Sequence, residues 1–187
     1  MALLSRVKVL AVLTILILTL SILMVTRATA RAASLNPSCT QSFVPSPNAG
    51  SGANALFGVS AIASNDVWAV GEFSSVSAGQ TLVEHWNGVN WSVVASPNVG
   101  SGSNFLNAVS AVSSNDVWAV GSFQNTGSSS QALIEHWNGV NWSVVSSPSP
   151  GSGSNELHGV SAVSSSDIWA VGEYLTNGDN GVYQTLI

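Results

Sequence analysis

The chain has 187 residues, 45% of them hydrophobic and only 7% charged, so it can bury a sizeable core. All nine acidic residues lie beyond residue 32, and all four basic residues lie before it, at Arg6, Lys8, Arg27 and Arg31. Residues 32–187 thus carry a formal charge of 0 minus 9, or -9, which comes close to excluding nucleic acid, because phosphates need cationic partners. Neutral ligands such as glycans, or a cation, remain open.

Residues 1–33 have the pattern of an export segment. Arg6 and Lys8 precede an apolar run from Val9 to Val25, and the A-x-A site Ala28 to Ala30 follows. The pattern predicts a signal peptide, with an uncut N-terminal membrane anchor as the alternative. In both cases we expect a secreted or cell-surface bacterial protein that meets the membrane only through this segment. Cys39, the only cysteine, is interpreted as a tolerated surface thiol, with a disulfide to a segment absent from this chain as the alternative.

Residues 34–187 form one repeat domain. A motif recurs as SNDVWAVGEF at Ser64 to Phe73, SNDVWAVGSF at Ser114 to Phe123 and SSDIWAVGEY at Ser165 to Tyr174. Recurrence at a period of about 50 residues indicates a supersecondary unit that buries its apolar face against its neighbours.

Each complete repeat contains four short runs of β-branched and aromatic residues, separated by Asn, Gly, Ser and Asp. We label these predicted strands a, b, c and d, and expect them to form an antiparallel meander. Repeat 1 (56–95) has them at Leu56 to Ile62, Val67 to Phe73, Gln80 to Trp86 and Trp91 to Ala95. Repeat 2 (106–146) has them at Leu106 to Val112, Val117 to Phe123, Gln131 to Trp137 and Trp142 to Ser146. Repeat 3 (157–187) contains only a, b and c, at Leu157 to Val163, Ile168 to Tyr174 and Tyr183 to Ile187.

A stray d strand is predicted ahead of the first repeat. Gln41 to Asn48 (QSFVPSPN) aligns with Trp91 to Asn98 (WSVVASPN). The strand order is then d, abcd, abcd, abc. This is the offset by which a β-propeller closes its ring, the first strand completing the last blade.

The motifs S-[NS]-D-[VI]-W-A-V-G and E-H-W-N-G-V-N-W resemble the repeats of β-propeller proteins exported by bacteria, over Gln41 to Ile187. The resemblance implies an all-β fold of about three four-stranded antiparallel blades in an incomplete ring. Trp68 stands where the Asp-box motif has Gly, and the double glycine of kelch repeats is absent. Neither sialidase-like nor galactose-oxidase-like chemistry is therefore implied.

Three blades are fewer than the four to eight of a usual ring. We expect a fragment of a longer chain, or several chains that assemble, in which case the protein is an oligomer. A linear stack of β-sandwich repeats is the competing fold.

The b–c and d–a connections should share one end of the sheets, since alternate turns of a meander lie together. Connection b–c varies, with six residues before Gln80, seven before Gln131 and nine before Gln184. Variable loops on a rigid scaffold are where binding usually occurs, so this end is the candidate site. It includes Asn177, Asp179 and Asn180, whose oxygens could hold Ca²⁺ but lack the spacing of a known calcium loop. No other cofactor or metal site is predicted.

The seven tryptophans have two interpretations. Trp68, Trp118 and Trp169 lie in the middle of strand b and are expected in the core between blades. Two pairs, Trp86 with Trp91 and Trp137 with Trp142, flank the c–d turns. We expect cross-strand packing within each pair, with exposed platforms for sugar stacking as the alternative.

The recurrent ionisable residues are interpreted as structural. The aspartates that open strand b should accept backbone N–H bonds from the a–b turn; they are Asp66, Asp116 and Asp167. Each c strand carries an adjacent Glu and His, in which the His should be the hydrogen-bond partner of the carboxylate; these pairs are Glu84 with His85 and Glu135 with His136. His158 occurs only in repeat 3 and is expected at the surface.

Three functions compete. The first is a non-enzymatic exported binding module or scaffold that presents variable loops to a glycan or protein partner. The second is a fragment of an extracellular carbohydrate-active enzyme, which would need two positioned carboxylates. The acids outside the repeated positions are Glu72, Glu156, Glu173 and Asp179. The third is a purely structural surface repeat.

Overall fold

The computed structural model describes residues 41–176 and 181–187. The export segment, Cys39, and the loop residues Asn177, Asp179 and Asn180 lie outside the described residues. Two units are distinguished, Met1–Phe43 and Val44–Ile187, and the second contains all eleven described strands.

Three antiparallel sheets make up the second unit. Sheet I runs in the order β1 (Asn54–Ala63), β2 (Asp66–Ser74), β3 (Gly79–Trp86) and β4 (Trp91–Val93). Sheet II repeats that order with β5 (Asn104–Ser113), β6 (Asp116–Phe123), β7 (Gln131–Trp137) and β8 (Trp142–Val145). Sheet III has three strands, β9 (Asn155–Ser164), β10 (Asp167–Leu175) and β11 (Tyr183–Leu186), with β10 in the middle.

The predicted fold class is confirmed. The described residues contain no helix, and the repeated antiparallel sheets have an incomplete propeller-like arrangement without a closed ring. The predicted strands a, b and c are all present, and each a strand is three residues longer than its apolar run indicated.

Strand d is shorter than predicted, and its stray copy is absent. Strand β4 ends at Val93 and β8 ends at Val145, each followed within a few residues by a proline. Residues 41–48 form no strand, which corrects the assignment of a d strand to Gln41 to Asn48. Pro45 and Pro47 lack the N–H groups of alternate residues, and these are the groups that would donate to one neighbouring strand.

A glycine in the middle of strand b lets strands a and b approach closely. A Cβ atom on Gly121 would lie 1.9 Å from the carbonyl oxygen of Phe105. Gly71 and Gly172 meet the same obstacle in sheets I and III. The strand register shifts beside each of these glycines, which is the signature of a β-bulge.

The core lies between the sheets. Between sheets I and II it contains Trp68, Val70, Val83, Leu106, Val109, Val117, Ala119, Leu133 and Trp142. A smaller cluster between sheets II and III contains Val120, Ala132, Leu157 and Leu186. Successive side chains of a strand point to opposite faces, so β6 supplies Val117 and Ala119 to the core with sheet I and Val120 to the core with sheet III.

Equivalent hydrogen bonds connect successive a strands. The backbone N–H of Ala111 in β5 donates to Ser60 Oγ in β1 over 3.1 Å. One repeat later, the N–H of Ala162 in β9 donates to Ser110 Oγ in β5 over 3.0 Å. The same hydrogen bond therefore links sheet I to sheet II and sheet II to sheet III.

Candidate binding face

The d–a connections are ordered loops, each organised by one asparagine at the start of strand a. Asn54 Oδ1 accepts from the N–H of Ala49 over 2.8 Å, and its Nδ2 donates to the carbonyl oxygens of Ala49 and Gly52. Asn104 and Asn155, both 2% exposed, bridge their own loops in the same way. Buried amides with such partners fix the loop backbone, so these Gly/Ser segments are not free linkers.

These loops rest on the ends of the b strands. The N–H of Ser74 donates to the carbonyl oxygen of Ala53 over 2.8 Å, and the N–H of Gln124 donates to that of Ser103 over 2.8 Å. Gly52 approaches so closely that a Cβ atom there would lie 2.4 Å from the carbonyl oxygen of Ser74. The predicted sharing of one end by the b–c and d–a connections is therefore confirmed.

The b–c turns differ in how they are held on this common base. In sheet I, Ser75 and Ala78 close a short turn on each other through backbone and hydroxyl bonds. In sheet II, Thr126 instead donates its N–H and its hydroxyl to Ser101 of the d–a loop, over 3.0 Å each. In sheet III, Thr176 and Val182 are bonded to each other across the residues that are not described. Connections of different length thus rise from one scaffold, and we call this end the loop face.

Carboxylates at the loop end are engaged with neighbouring groups rather than with each other. Glu156 Oε1 accepts from Ser130 Oγ of sheet II over 2.8 Å. Glu173 lies 3.7 Å from His158 Nε2, with both side chains about half exposed. Glu156 and Glu173 are cross-strand partners of β9 and β10, and the glycosidase alternative stays a prediction.

The opposite end carries a repeated side-chain network centred on aspartate. Asp66 Oδ1 lies 2.8 Å from His85 Nε2, and Asp66 Oδ2 accepts from Ser114 Oγ of sheet II. Trp68 stacks on His85 with ring centroids 4.3 Å apart. Asp116 repeats the arrangement, 2.8 Å from His136 Nε2 and 2.8 Å from Trp118 Nε1, with Ser165 of sheet III beside it.

This network corrects two predictions. The bonds of Asp66 and Asp116 go to side chains, and for Asp66 they include Ser114 of the next sheet, whereas backbone partners in the a–b turn were expected. His85 pairs with Asp66, not with its neighbour Glu84, because adjacent residues of a strand face opposite ways. Burial opposes ionisation of Asp66 and Asp116, but bonds from the serine and histidine outweigh it and lower the pKa of both carboxyls. Asp167 is exposed at the equivalent position of sheet III.

The strand c glutamates are buried instead. Glu84 is 1% exposed, with Ser46 nearby and Oε2 unpaired, whereas Glu135 is fully buried and neither of its carboxyl oxygens has a hydrogen-bond partner. Burial raises the pKa of both carboxyls, and raises that of Glu135 to about 8. Glu135 is therefore largely protonated at neutral pH, as a neutral acid among apolar side chains.

The tryptophan pairs pack across strands as predicted. Trp86 lies opposite Trp91, with ring centroids 5.8 Å apart, and Trp137 lies opposite Trp142 at 6.0 Å. The alternative of an open stacking platform is wrong for Trp142, which is 5% exposed and lies in the core against Trp68. Trp137 also packs on that core. All four indoles lie at the c–d turns, away from the loop face.

The b-strand tryptophans occupy equivalent positions but differ in burial. Trp68, Trp118 and Trp169 face Ser60, Ser110 and Ser161 of their own a strands. Trp68 is 2% exposed, Trp118 is partly buried, and Trp169 is 58% exposed. The core prediction is therefore confirmed for Trp68 and wrong for Trp169, whose face no other sheet covers among the described residues.

A groove between sheets II and III follows from the same difference. Two adjoining cavities of about 320 and 200 Å³ share Ile134, Ile168 and Ala170 in their linings, and Trp118 borders the larger. Between sheets I and II the matching space over Trp68 is filled by Trp137 and Trp142. The described lining of the groove is mainly apolar, with Ser147, Ser165 and Ser166 as its polar side chains.

Residues 41–176 and 181–187 show neither a metal cluster nor a membrane-spanning helix. No group of three or more His, Cys, Asp or Glu side chains suited to a metal occurs there. The calcium prediction concerns Asn177, Asp179 and Asn180, outside this part of the chain. No helix in the same residues is long and apolar enough to cross a membrane. The chain matches no protein-family model and no curated protein.

Two sets of structural residues were missed from the sequence, although both left a signal there. The loop-organising asparagines end the recurrent segments SGAN and SGSN at residues 54, 104 and 155. The inter-sheet serines Ser114 and Ser165 open the S-[NS]-D motif itself. Both sets recur in the sequence, which indicates a structural role. The sequence of one repeat does not show, however, which side chain of the next repeat they contact.

Proposed function

We propose that this protein is an exported, non-enzymatic β-propeller binding module whose loop face contacts a glycan or protein partner. One observation carries the proposal: b–c connections of different length and sequence rise from d–a loops held in one way by Asn54, Asn104 and Asn155. Proteins commonly bind partners through loops that vary in length and sequence on a rigid scaffold, and here the b–c connections vary while the d–a loops are held alike.

The chemistry of the tips favours a neutral glycan. The described tips present hydroxyl and amide groups on exposed or half-buried residues, among them Ser75, Ser77, Asn125 and Thr126. Such groups both donate and accept hydrogen bonds, as sugar hydroxyls do. Residues 32–187 provide no Lys or Arg to bind a phosphate or carboxylate. The pattern of residues 1–33 supports export to the medium or the cell surface.

A glycan array tests the proposal directly. The full chain, purified in detergent micelles, is applied with and without Ca²⁺, and hits are repeated with T126A at the loop face and V140A at the c–d turn. We expect one class of neutral glycan to bind, T126A to weaken binding by about tenfold, and V140A to leave binding unchanged. Equal effects of the two variants would contradict the loop-face assignment.

The remaining alternatives give different results. Turnover of a model glycoside that is lost in E156Q or E173Q would indicate an enzyme. If neither a glycan nor a surface protein binds the properly folded chain, the proposal fails and a purely structural repeat remains.

A further inference from the structure

We propose that the outer face of sheet III binds the outer face of sheet I from a second copy of this chain. We infer a second copy as the partner because the residues that join sheets I and II, and sheets II and III, recur on the open faces of sheets III and I. This contact is separate from the loop face and goes beyond the proposed binding function.

Each internal interface joins two different surfaces. The forward surface of sheet I presents Ser60 Oγ, the Asp66 carboxylate and the ring of Trp68. The backward surface of sheet II meets these groups, in the same order, with the N–H of Ala111, the hydroxyl of Ser114 and the Trp137–Trp142 pair. Trp68 lies 5.1 Å from Trp137 and 5.5 Å from Trp142 between ring centroids.

The interface of sheets II and III repeats the polar part of this set. Ser110 Oγ accepts from the N–H of Ala162, and Ser165 lies beside Asp116 and lowers the pKa of its carboxyl. The bond between successive a strands therefore occurs at both interfaces, and Ser114 and Ser165 take the same place beside Asp66 and Asp116, so the forward and backward surfaces form a complementary pair.

Sheet III leaves a forward surface without a partner among the described residues. Trp169 is 58% exposed and Val163 69% exposed, whereas their equivalents Trp68 and Ile62 belong to or pack on the first core. Ser161 and Asp167, which match Ser60 and Asp66, are also exposed there. Together they form a contiguous forward set on the open side of β9 and β10.

Sheet I leaves the matching backward surface open along β1. Leu56 and Val59 are 42% and 69% exposed, although their equivalents Leu106 and Val109 are 0% and 8% exposed. The Trp86–Trp91 pair has nearly the spacing of the pair that covers Trp68. Farther out on this face, Ala69, Leu82 and Glu84 are already buried, although Ala119 and Leu133, the equivalents of the first two, lie in the first core, so the free area is limited to β1 and the tryptophan pair.

The inferred contact therefore places Trp169 of one copy on the Trp86–Trp91 pair of the other. Ser161 Oγ would accept from the N–H of Ala61, and Asp167 from Ser64 Oγ, as their equivalents do inside the chain. Because the two surfaces differ, the contact is head-to-tail, and it yields a closed ring if the rotation returns to its start and an open chain otherwise.

Complementation between two variants tests this contact. W169E alters only the forward surface and V59K only the backward surface, at side chains already exposed in the single chain, so both should fold with an unchanged far-UV spectrum. The full chain and both variants, in detergent micelles, are analysed by sedimentation alone and as an equimolar mixture. V76K, on the tip of a b–c turn, is the control.

We expect the natural chain and V76K to self-associate, and each interface variant alone to associate at least about tenfold more weakly. The mixture should regain association, because one undamaged forward surface then meets one undamaged backward surface. A natural chain that stays monomeric up to about 100 μM, a range in which standard-sized interfaces associate, would overturn the proposal. Association that persists unchanged in both variants, as it would through residues 1–33, would overturn it as well.

Discussion

Two aspartates of this chain contribute to stability partly through contacts with the next repeat. Asp66 joins His85 of its own sheet to Ser114 of the next, and Asp116 pairs with His136 and has Ser165 of the next sheet beside it. Since their pKa values are lowered in the folded state, the stability they contribute is present above their ordinary pKa of 3.8. That contribution is lost as the pH falls below this value.

Removing one aspartate should therefore cost stability only where the network exists. D116A leaves His136 and the Trp118 N–H without their shared acceptor, and we expect the free energy of unfolding to fall by about 1 to 3 kcal/mol. The matched variant D167A, at the exposed equivalent in sheet III, should change it by less than about 0.5 kcal/mol. Urea unfolding followed by tryptophan fluorescence measures both. Similar losses for the two variants would refute the network's role.

Glu135 should make stability depend on pH in the opposite direction. Its pKa rises from 4.5 to about 8 on folding. The buried carboxyl therefore does not lower the free energy of unfolding below pH 4.5, and lowers it increasingly as the pH rises toward 8. E135Q cannot ionise and should exceed the natural chain in stability by at least about 1 kcal/mol at pH 8, with the gap closing near pH 4.5. Thermal unfolding at several pH values provides the measurement. E84Q should show a smaller effect, because Ser46 supports the Glu84 carboxylate.

At the scale of strands, the bulge glycines set how closely strands a and b approach. G121A would place a methyl group 1.9 Å from the Phe105 carbonyl oxygen, and we expect a loss of about 3 kcal/mol or more. Gly127 has φ of +76° but nothing within 4 Å of the place that a methyl group would take, so G127A should cost about 1 to 2 kcal/mol from backbone strain alone. Chemical denaturation ranks the two, and the reverse order would contradict the close approach.

Strands were the part most readily predicted from the sequence. Runs such as VWAVGEF combine β-branched and aromatic residues between turn signals, and they became strands of nearly the predicted bounds. Strand d was predicted too long, and a strand was wrongly predicted at Gln41 to Asn48. Alignment between repeats does not show that Pro45 and Pro47 lack the backbone N–H groups that a strand needs as hydrogen-bond donors.

The site was less predictable than the strands. Turn order in a meander placed the loop face correctly, and cross-strand pairing anticipated the tryptophan pairs. The partner of His85 was missed because strand alternation separates it from Glu84, whereas Asp66 comes within reach only when the meander folds.

Over the whole second unit, burial of equivalent residues depends on which sheets flank them. Trp68 lies between two sheets, while Trp169 lies on an open face. At concentrations where the chain is monomeric, W68A should lower the free energy of unfolding by about 3 to 5 kcal/mol. W169A should change it by less than about 1 kcal/mol. Denaturation curves test this, and equal losses would show that Trp169 is covered in the isolated chain.

Seven residues separate Phe123 from Gln131 where six separate the equivalent Phe73 and Gln80, yet the bonds from Ala111 to Ser60 and from Ala162 to Ser110 keep nearly the same length. The additional residue in the b–c connection therefore does not change how the sheets stack. Gly127, exposed at that tip with open space around it, is a position where a foreign peptide could be grafted for display without disturbing the blades.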